Sequence, residues 1–145
     1  MTAAEYIVDV LGGPGVFKGA AVPTSSELRA RIKRGLLYRS LESVRERLRL
    51  SVPEAASVLQ MPPRTLARRK QSRRLAADES DRLYRIVRVA AHAFAVFGTE
   101  DKAATWLNRA NRALNGESPI RLLDSDVGAR QVEDVLGRIE SGIVS

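Results

Sequence analysis

Apolar residues recur along this chain at spacings of three and four, with no sustained alternation of apolar and polar positions, so the fold is expected to be all-α. Residues 3 to 11 (AAEYIVDVL) predict a short first helix. It must stop at Gly12-Gly13-Pro14-Gly15, where glycine loses helical order and proline donates no hydrogen bond. A loop through Val22-Pro23 leads to a helix capped by Ser25 or Ser26 and running to about Gly35, with Leu28 and Ile32 four apart on its buried side. Ser40 is placed to start the next helix, with Leu41, Val44 and Leu48 inward. Arg45, Arg47 and Arg49 then form a basic outer face.

Ser51-Val52-Pro53-Glu54 has the spacing of a capping box. The Ser51 hydroxyl can accept from the amide three residues on while Glu54 reaches back, and proline tolerates an early helical position. A helix over 52–60 follows, with Ala55, Ala56 and Leu59 inward, and Pro62-Pro63 ends it and opens a second, RTLARRKQSRRL. Two short helices on a tight turn predict a helix-turn-helix. Ala56 is small where the helices approach, Leu59 and Met61 flank the turn, and Leu66 packs the second helix onto the first. Gln60 must then adopt positive φ. With Arg64 to about Arg74 as the recognition helix, Arg64, Ala67, Arg68 and Gln71 face the major groove, and Thr65, Arg69, Arg73 and Arg74 hold phosphates. A solvated basic face would have the same composition, but the capped helix and turn ahead of it favour DNA.

The polar residues 72–80 are expected to connect this half to the next. Ser80-Asp81 begins a long helix to Phe97 with a stripe of Leu83, Ile86, Val87, Ala90, Phe94 and Phe97, and Gly98 stops it. Thr99 caps a helix with Glu100 and Asp101 in its first turn, where the macrodipole favours them. That helix is expected to continue to Gly116, with Trp106, Leu107, Ala110 and Leu114 on its core side. After a turn at Ser118-Pro119, a last helix from about Gly128 to Ser141 turns Val132, Val135, Leu136 and Ile139 inward. It stops at Gly142, and Ile143-Val144-Ser145 follow.

Composition narrows the chemistry. The chain has no cysteine and a single histidine, His92, so disulfides, thiolate metal sites and histidine-based zinc are not expected, and no cofactor is implied. His92 has no partner carboxylate or nucleophile signalled near it, and Asp124 and Asp126 fall where aspartate ordinarily caps a helix, so no catalytic residue is assigned. No apolar run reaches membrane-spanning length and no secretory leader pattern opens the sequence, which predicts a cytoplasmic protein without a membrane partner. The net charge of +7 is unevenly placed: residues 1–80 hold 15 Lys+Arg against 8 Asp+Glu, and residues 81–145 hold 9 against 9. A localised cationic excess is the footprint of a polyanion binder. Of the 24 cations, 20 are arginine, which suits bidentate contact with phosphate or guanine.

A wider set of residues carries a family resemblance. Arg64-Thr65-Leu66-Ala67-Arg68-Arg69-Lys70, Glu79-Ser80-Asp81-Arg82-Leu83, Phe97-Gly98, Trp106-Leu107, Asn111-Arg112-Ala113-Leu114, Leu122-Leu123-Asp124, Gly128-Ala129-Arg130-Gln131-Val132-Glu133-Asp134 and Leu136-Gly137-Arg138-Ile139-Glu140 together resemble the Xre/MbcA/ParS-like antitoxins, partners of RES-domain toxins. The likeness covers about Leu41 to Gly142, and its C-terminal part is the more specific. Ala110 departs from the family pattern, which has proline there, and suggests an unkinked helix. The resemblance implies a bacterial type II antitoxin. An N-terminal helix-turn-helix domain, residues 1–76, would bind operator DNA as a homodimer, and a small C-terminal domain, residues 77–145, would cover the active site of an NAD-degrading toxin. The expected toxin-binding residues are Arg138, Glu140, Ser141, Gly142, Ile143, Val144 and Ser145. In this reading the apolar pair and terminal carboxylate fill the toxin's pocket. The alternative is a stand-alone dimeric helix-turn-helix regulator of transcription.

Overall fold

The computed structural model describes residues 1–13 and 22–142, and among them the only regular elements are helices. They are α1 (Ala3–Val10), α2 (Ser25–Arg34), α3 (Tyr38–Arg47), α4 (Val52–Val58), α5 (Pro63–Ser72), α6 (Ala77–Phe97), α7 (Glu100–Asn108) and α8 (Asp126–Glu140), with 3-10 turns at Arg112–Leu114 and Pro119–Asp124. The all-α expectation holds.

The longest helix, α6, is the axis of the molecule: α1, α2, α7, α8 and the second 3-10 turn all pack on it. The expected single stripe understates its burial. Beside Leu83, Ile86, Val87 and Ala90, the side chains of Val89, Ala91 and Ala93 are also buried, because neighbours lie on more than one side. Phe94 and Phe97 are only partly buried. Phe94 stacks on Tyr6 of α1 with centroids 4.6 Å apart, and Phe97 meets Trp106 of α7 at 5.5 Å. One hydrophobic cluster runs from Tyr6 to Leu136.

Two serines expected to cap helices are used elsewhere. Thr24 caps α2, in a capping box with Glu27, and α3 begins at Tyr38. Ser40 is fully buried and donates to the Leu11 carbonyl at 2.6 Å, tying α3 to the end of α1. Ser80, expected to open α6, lies one turn inside it. Its hydroxyl accepts from the Leu36 amide at 2.7 Å and donates to Ala76 O at 2.8 Å. The connection before α6 therefore shrinks to Arg73–Ala76, and Glu79 completes the start of the helix by accepting from the Ala76 amide at 2.7 Å. A hydroxyl serves a cap or a buried bridge with equal ease, and only the packing distinguishes them.

The helix expected to run from Thr99 to Gly116 breaks after Asn108. Arg109 is extended, Arg112–Leu114 forms a 3-10 turn, and Asn115 and Gly116 both take positive φ; Ala110 is exposed. The missing proline at Ala110 does not make the segment continuous. The Asn111 side chain accepts from the Ala113 amide at 2.9 Å, and its backbone amide donates to Glu117 O at 3.0 Å, closing a compact loop. The last helix starts two residues earlier than expected, capped by Ser125, whose hydroxyl accepts from the Gly128 amide at 3.0 Å. Gly128 is required there: a Cβ would come within 1.9 Å of Leu122 O.

Candidate functional site

The capping box at Ser51 forms as expected: Ser51 accepts from Glu54 at 3.2 Å and Glu54 from the Ser51 amide at 2.9 Å. Helix α4 ends in a turn where Gln60 takes φ 53°. The Gln60 amide donates to Ser57 O and the Met61 amide to Ala56 O at 2.9 Å, satisfying carbonyls the helix end would leave open. Met61, Leu59 and Leu66 are buried at the joint. A support not visible from local sequence comes from α6: the Arg82 Nε donates to Leu59 O at 2.7 Å, bracing the turn.

This geometry exposes one face of α5. Arg64, Ala67, Arg68 and Gln71 are all exposed, Thr65 is half-buried, and neither Arg64 nor Arg68 has an ion pair or side-chain hydrogen bond among the described residues. Arg73, exposed at φ 65°, caps the helix end.

Two residues expected on phosphates have structural duties as well. The Arg69 Nε donates to Glu79 Oε1 at 2.7 Å, and that carboxylate is only 6% exposed. Arg74 Nη1 donates to Gly35 O at 2.8 Å. Around it, Tyr38 N donates to Arg73 O and Leu75 N to Leu36 O, an isolated bridge clamping the end of α5 to the α2–α3 connection. Gly35 (φ 94°) permits the approach, since a Cβ there would lie 2.1 Å from Leu75 O.

The expected basic face of α3 is corrected by the same standard. Arg47 Nη2 meets Asp9 of α1 and Glu100 of α7, each at 2.8 Å, and the guanidinium lies 5.7 Å from the Tyr6 ring. Arg45 pairs with Glu42 at 3.0 Å and donates to Leu50 O, and Arg49, at φ 60°, pairs with Asp101. Arg47 and Arg49 join helices and Arg45 pairs within its own, so these three cations do not present a free field. Tyr6 completes the cluster by donating its hydroxyl to Glu100 Oε2 at 2.9 Å. Burial, then that carboxylate, push its pKa well above the usual phenol value.

The second surface lies on α8. Its inner side is bound to α6: Arg88 meets Glu133 at 2.9 Å and His92 lies 3.6 Å from Glu140, while Arg85 donates to Leu123 O in the 3-10 turn just ahead of α8. The expected toxin-binding residues therefore divide. Glu140 leans toward α6. Arg138 lies on another side of the helix and, with Gln131, Asp134 and Val135, lines a cleft of about 240 Å³ against the Ala113–Glu117 loop. Ser141 and Gly142 are exposed at the helix end, and Gly142 takes φ 79°, the stop expected of it. Ile143, Val144 and Ser145 lie outside the described residues. Among the described residues no cluster of three or more His, Cys, Asp or Glu could hold a metal, and no helix is long and apolar enough to cross a membrane.

Fold and surfaces define an all-α protein that joins a helix-turn-helix unit to a second helical unit through a shared long helix. The antitoxin Xre-like helix-turn-helix domain matches residues 27–88, and the antitoxin Xre/MbcA/ParS C-terminal toxin-binding domain matches residues 92–142, so the two meet inside α6. Proteins named antitoxin Xre from Pseudomonas putida and Yersinia enterocolitica are each 36% identical to this chain. The matches cover 80% and 79% of it and 72% and 78% of those proteins. An antitoxin Xre from Photorhabdus laumondii is 50% identical over 70 residues, which is 48% of this chain and 47% of the relative. The chain belongs to the Xre antitoxin family.

Proposed function

We propose that this chain is the antitoxin of a type II pair whose toxin is a RES-domain enzyme that degrades NAD, and that it represses its own operon as a homodimer through α5. The carrying observation is the free cationic face of α5, set in a braced helix-turn-helix and joined by α6 to a family toxin-binding unit. Arg64, Arg68 and Gln71 read bases, with Thr65, Arg73 and the ends of Arg69 and Arg74 on phosphates. The C-terminal unit covers the toxin's active site with the end of α8 and the residues after it. Arg138, Glu140, Ser141 and Gly142 border that contact, and Ile143, Val144 and Ser145 enter the pocket.

Co-expression with a RES-domain toxin tests this reading through growth and cellular NAD. Full-length chain restores both, and removing Gly142 to Ser145 abolishes rescue while operator binding persists. A truncated chain that still rescues would move the blocking surface to the cleft beside Arg138. No rescue by the full chain would leave the stand-alone regulator.

A further inference from the structure

The first helix of the helix-turn-helix does not stand free of the C-terminal unit. Helix α4 packs on the second 3-10 turn, and between them lies an open groove of about 450 Å³. Its floor is apolar: Val58 and Ile120 are buried, Leu122 is half-buried, and Pro53 adds an exposed edge. Its rim is acidic, with the carboxylates of Glu54, Glu117 and Asp124 against the single guanidinium of Arg121, in a chain whose net charge is +7. Local structure accounts for only one of those acids, Glu54, which closes the capping box. Asp124 caps nothing, since Ser125 caps α8 and Asp126 pairs with Arg130 at 3.0 Å. Neither Asp124 nor Glu117 has an ion pair or side-chain hydrogen bond among the described residues. Each wall also has an exposed valine close by in sequence, Val52 before Pro53 and Val127 after Asp124.

We infer that the toxin seats a segment in this groove, with an apolar side chain on the floor and a lysine or arginine against Glu117 and Asp124, so that α4 belongs to the toxin-binding surface. The inference rests on the antitoxin reading and deepens it. Three carboxylates around one guanidinium repel a phosphate backbone and attract a cationic partner, which sets this face apart from α5. The groove is also continuous with the toxin-binding unit. Its outer wall, Glu117 to Asp124, falls within residues 92–142, and Glu117 and Leu122 line both this groove and the cleft beside Arg138. A toxin that follows the surface from that cleft past Leu122 arrives at Pro53 and Ser57, which lie in the helix-turn-helix match, residues 27–88. Neutralisation then draws on residues outside the family toxin-binding domain.

Binding of the full chain to a RES-domain toxin inactivated by substitution in its own active site, followed by biolayer interferometry, tests it. Ser57 is exposed on α4, outside residues 92–142. Ser57→Arg fills the groove and sets a like charge against the incoming cation, weakening toxin binding by at least about 10-fold, while Ser57→Ala leaves it unchanged. Glu117→Lys with Asp124→Lys slows association and flattens its dependence on salt. Unchanged urea midpoints separate these losses from unfolding. If Ser57→Arg binds the toxin as the wild type does, or the double variant keeps the wild-type salt dependence, the inference is overturned and the antitoxin reading stands. A variant that changes the sedimenting mass of the free chain with toxin affinity unchanged gives the groove to a second copy, and overturns it as well. A wild-type chain that binds no toxin overturns the antitoxin reading itself, and the inference with it.

Discussion

Helices α3 and α5 both carry arginines at helical spacing on faces that look alike in sequence, yet the fold puts them to opposite uses. On α3 and two residues past its end, Arg45, Arg47 and Arg49 each meet a carboxylate, from Glu42, from Asp9 and Glu100, and from Asp101. On α5, Arg64 and Arg68 meet none among the described residues. The difference lies in the neighbours. Helix α3 is crossed by acidic groups from α1 and α7, whereas among the described residues no carboxylate reaches Arg64 or Arg68 on the outer face of α5. A cationic segment is therefore a footprint for a polyanion only where the tertiary structure leaves its charges unneutralised.

The sharpest way to break this comparison is to remove one arginine from each helix. Arg47→Met should cost about 2 kcal/mol of stability in urea unfolding, because it leaves the half-exposed Glu100 and Asp9 carboxylates without their cation beside a buried phenol. Operator affinity of the folded fraction should not change. Arg68→Ala should do the reverse: stability stays within about 0.5 kcal/mol, while operator affinity falls by about 1 to 3 kcal/mol and base preference relaxes. Equal losses on operator and random DNA would make Arg68 a phosphate contact.

Arg69 sits between the two cases, since its Nε is held by a nearly buried carboxylate on the edge of the DNA-facing helix. Glu79→Gln keeps an acceptor for the Ala76 amide and removes the charge that holds Arg69. The expected result is a loss of about 1 kcal/mol of stability and a salt dependence of DNA binding steeper by about one phosphate contact. An unchanged slope would place Arg69 with the α3 arginines as a structural cation. The smallest effect belongs to the turn. Gln60→Gly relieves a left-handed conformation costly for a side chain, and should raise the urea midpoint by about 0.5 kcal/mol equivalent without altering DNA affinity.

The parts of the site legible in sequence are those made by residues close in the chain. The Ser51–Glu54 box, the positive φ of Gln60, the return of Leu66 and the stops at Gly98 and Gly142 each depend on contacts within a few residues, where spacing alone dictates geometry. The same locality limited the reading elsewhere. Ser40 and Ser80 look like caps because a cap is the local use of a serine, but their partners, Leu11 and Leu36, lie 29 and 44 residues away.

What this sequence determined by itself is the helical periodicity, the helix-turn-helix and the split between a cationic and a neutral half. Only the tertiary structure decided which arginines remain free, that α6 is buried on more than one side, and that α1 belongs to the core through Tyr6 and Glu100, 94 residues apart. The physical reason is range. Backbone hydrogen bonds and caps are satisfied locally and leave a periodic trace, whereas charge neutralisation and burial depend on which distant surface arrives, and no spacing along the chain records that.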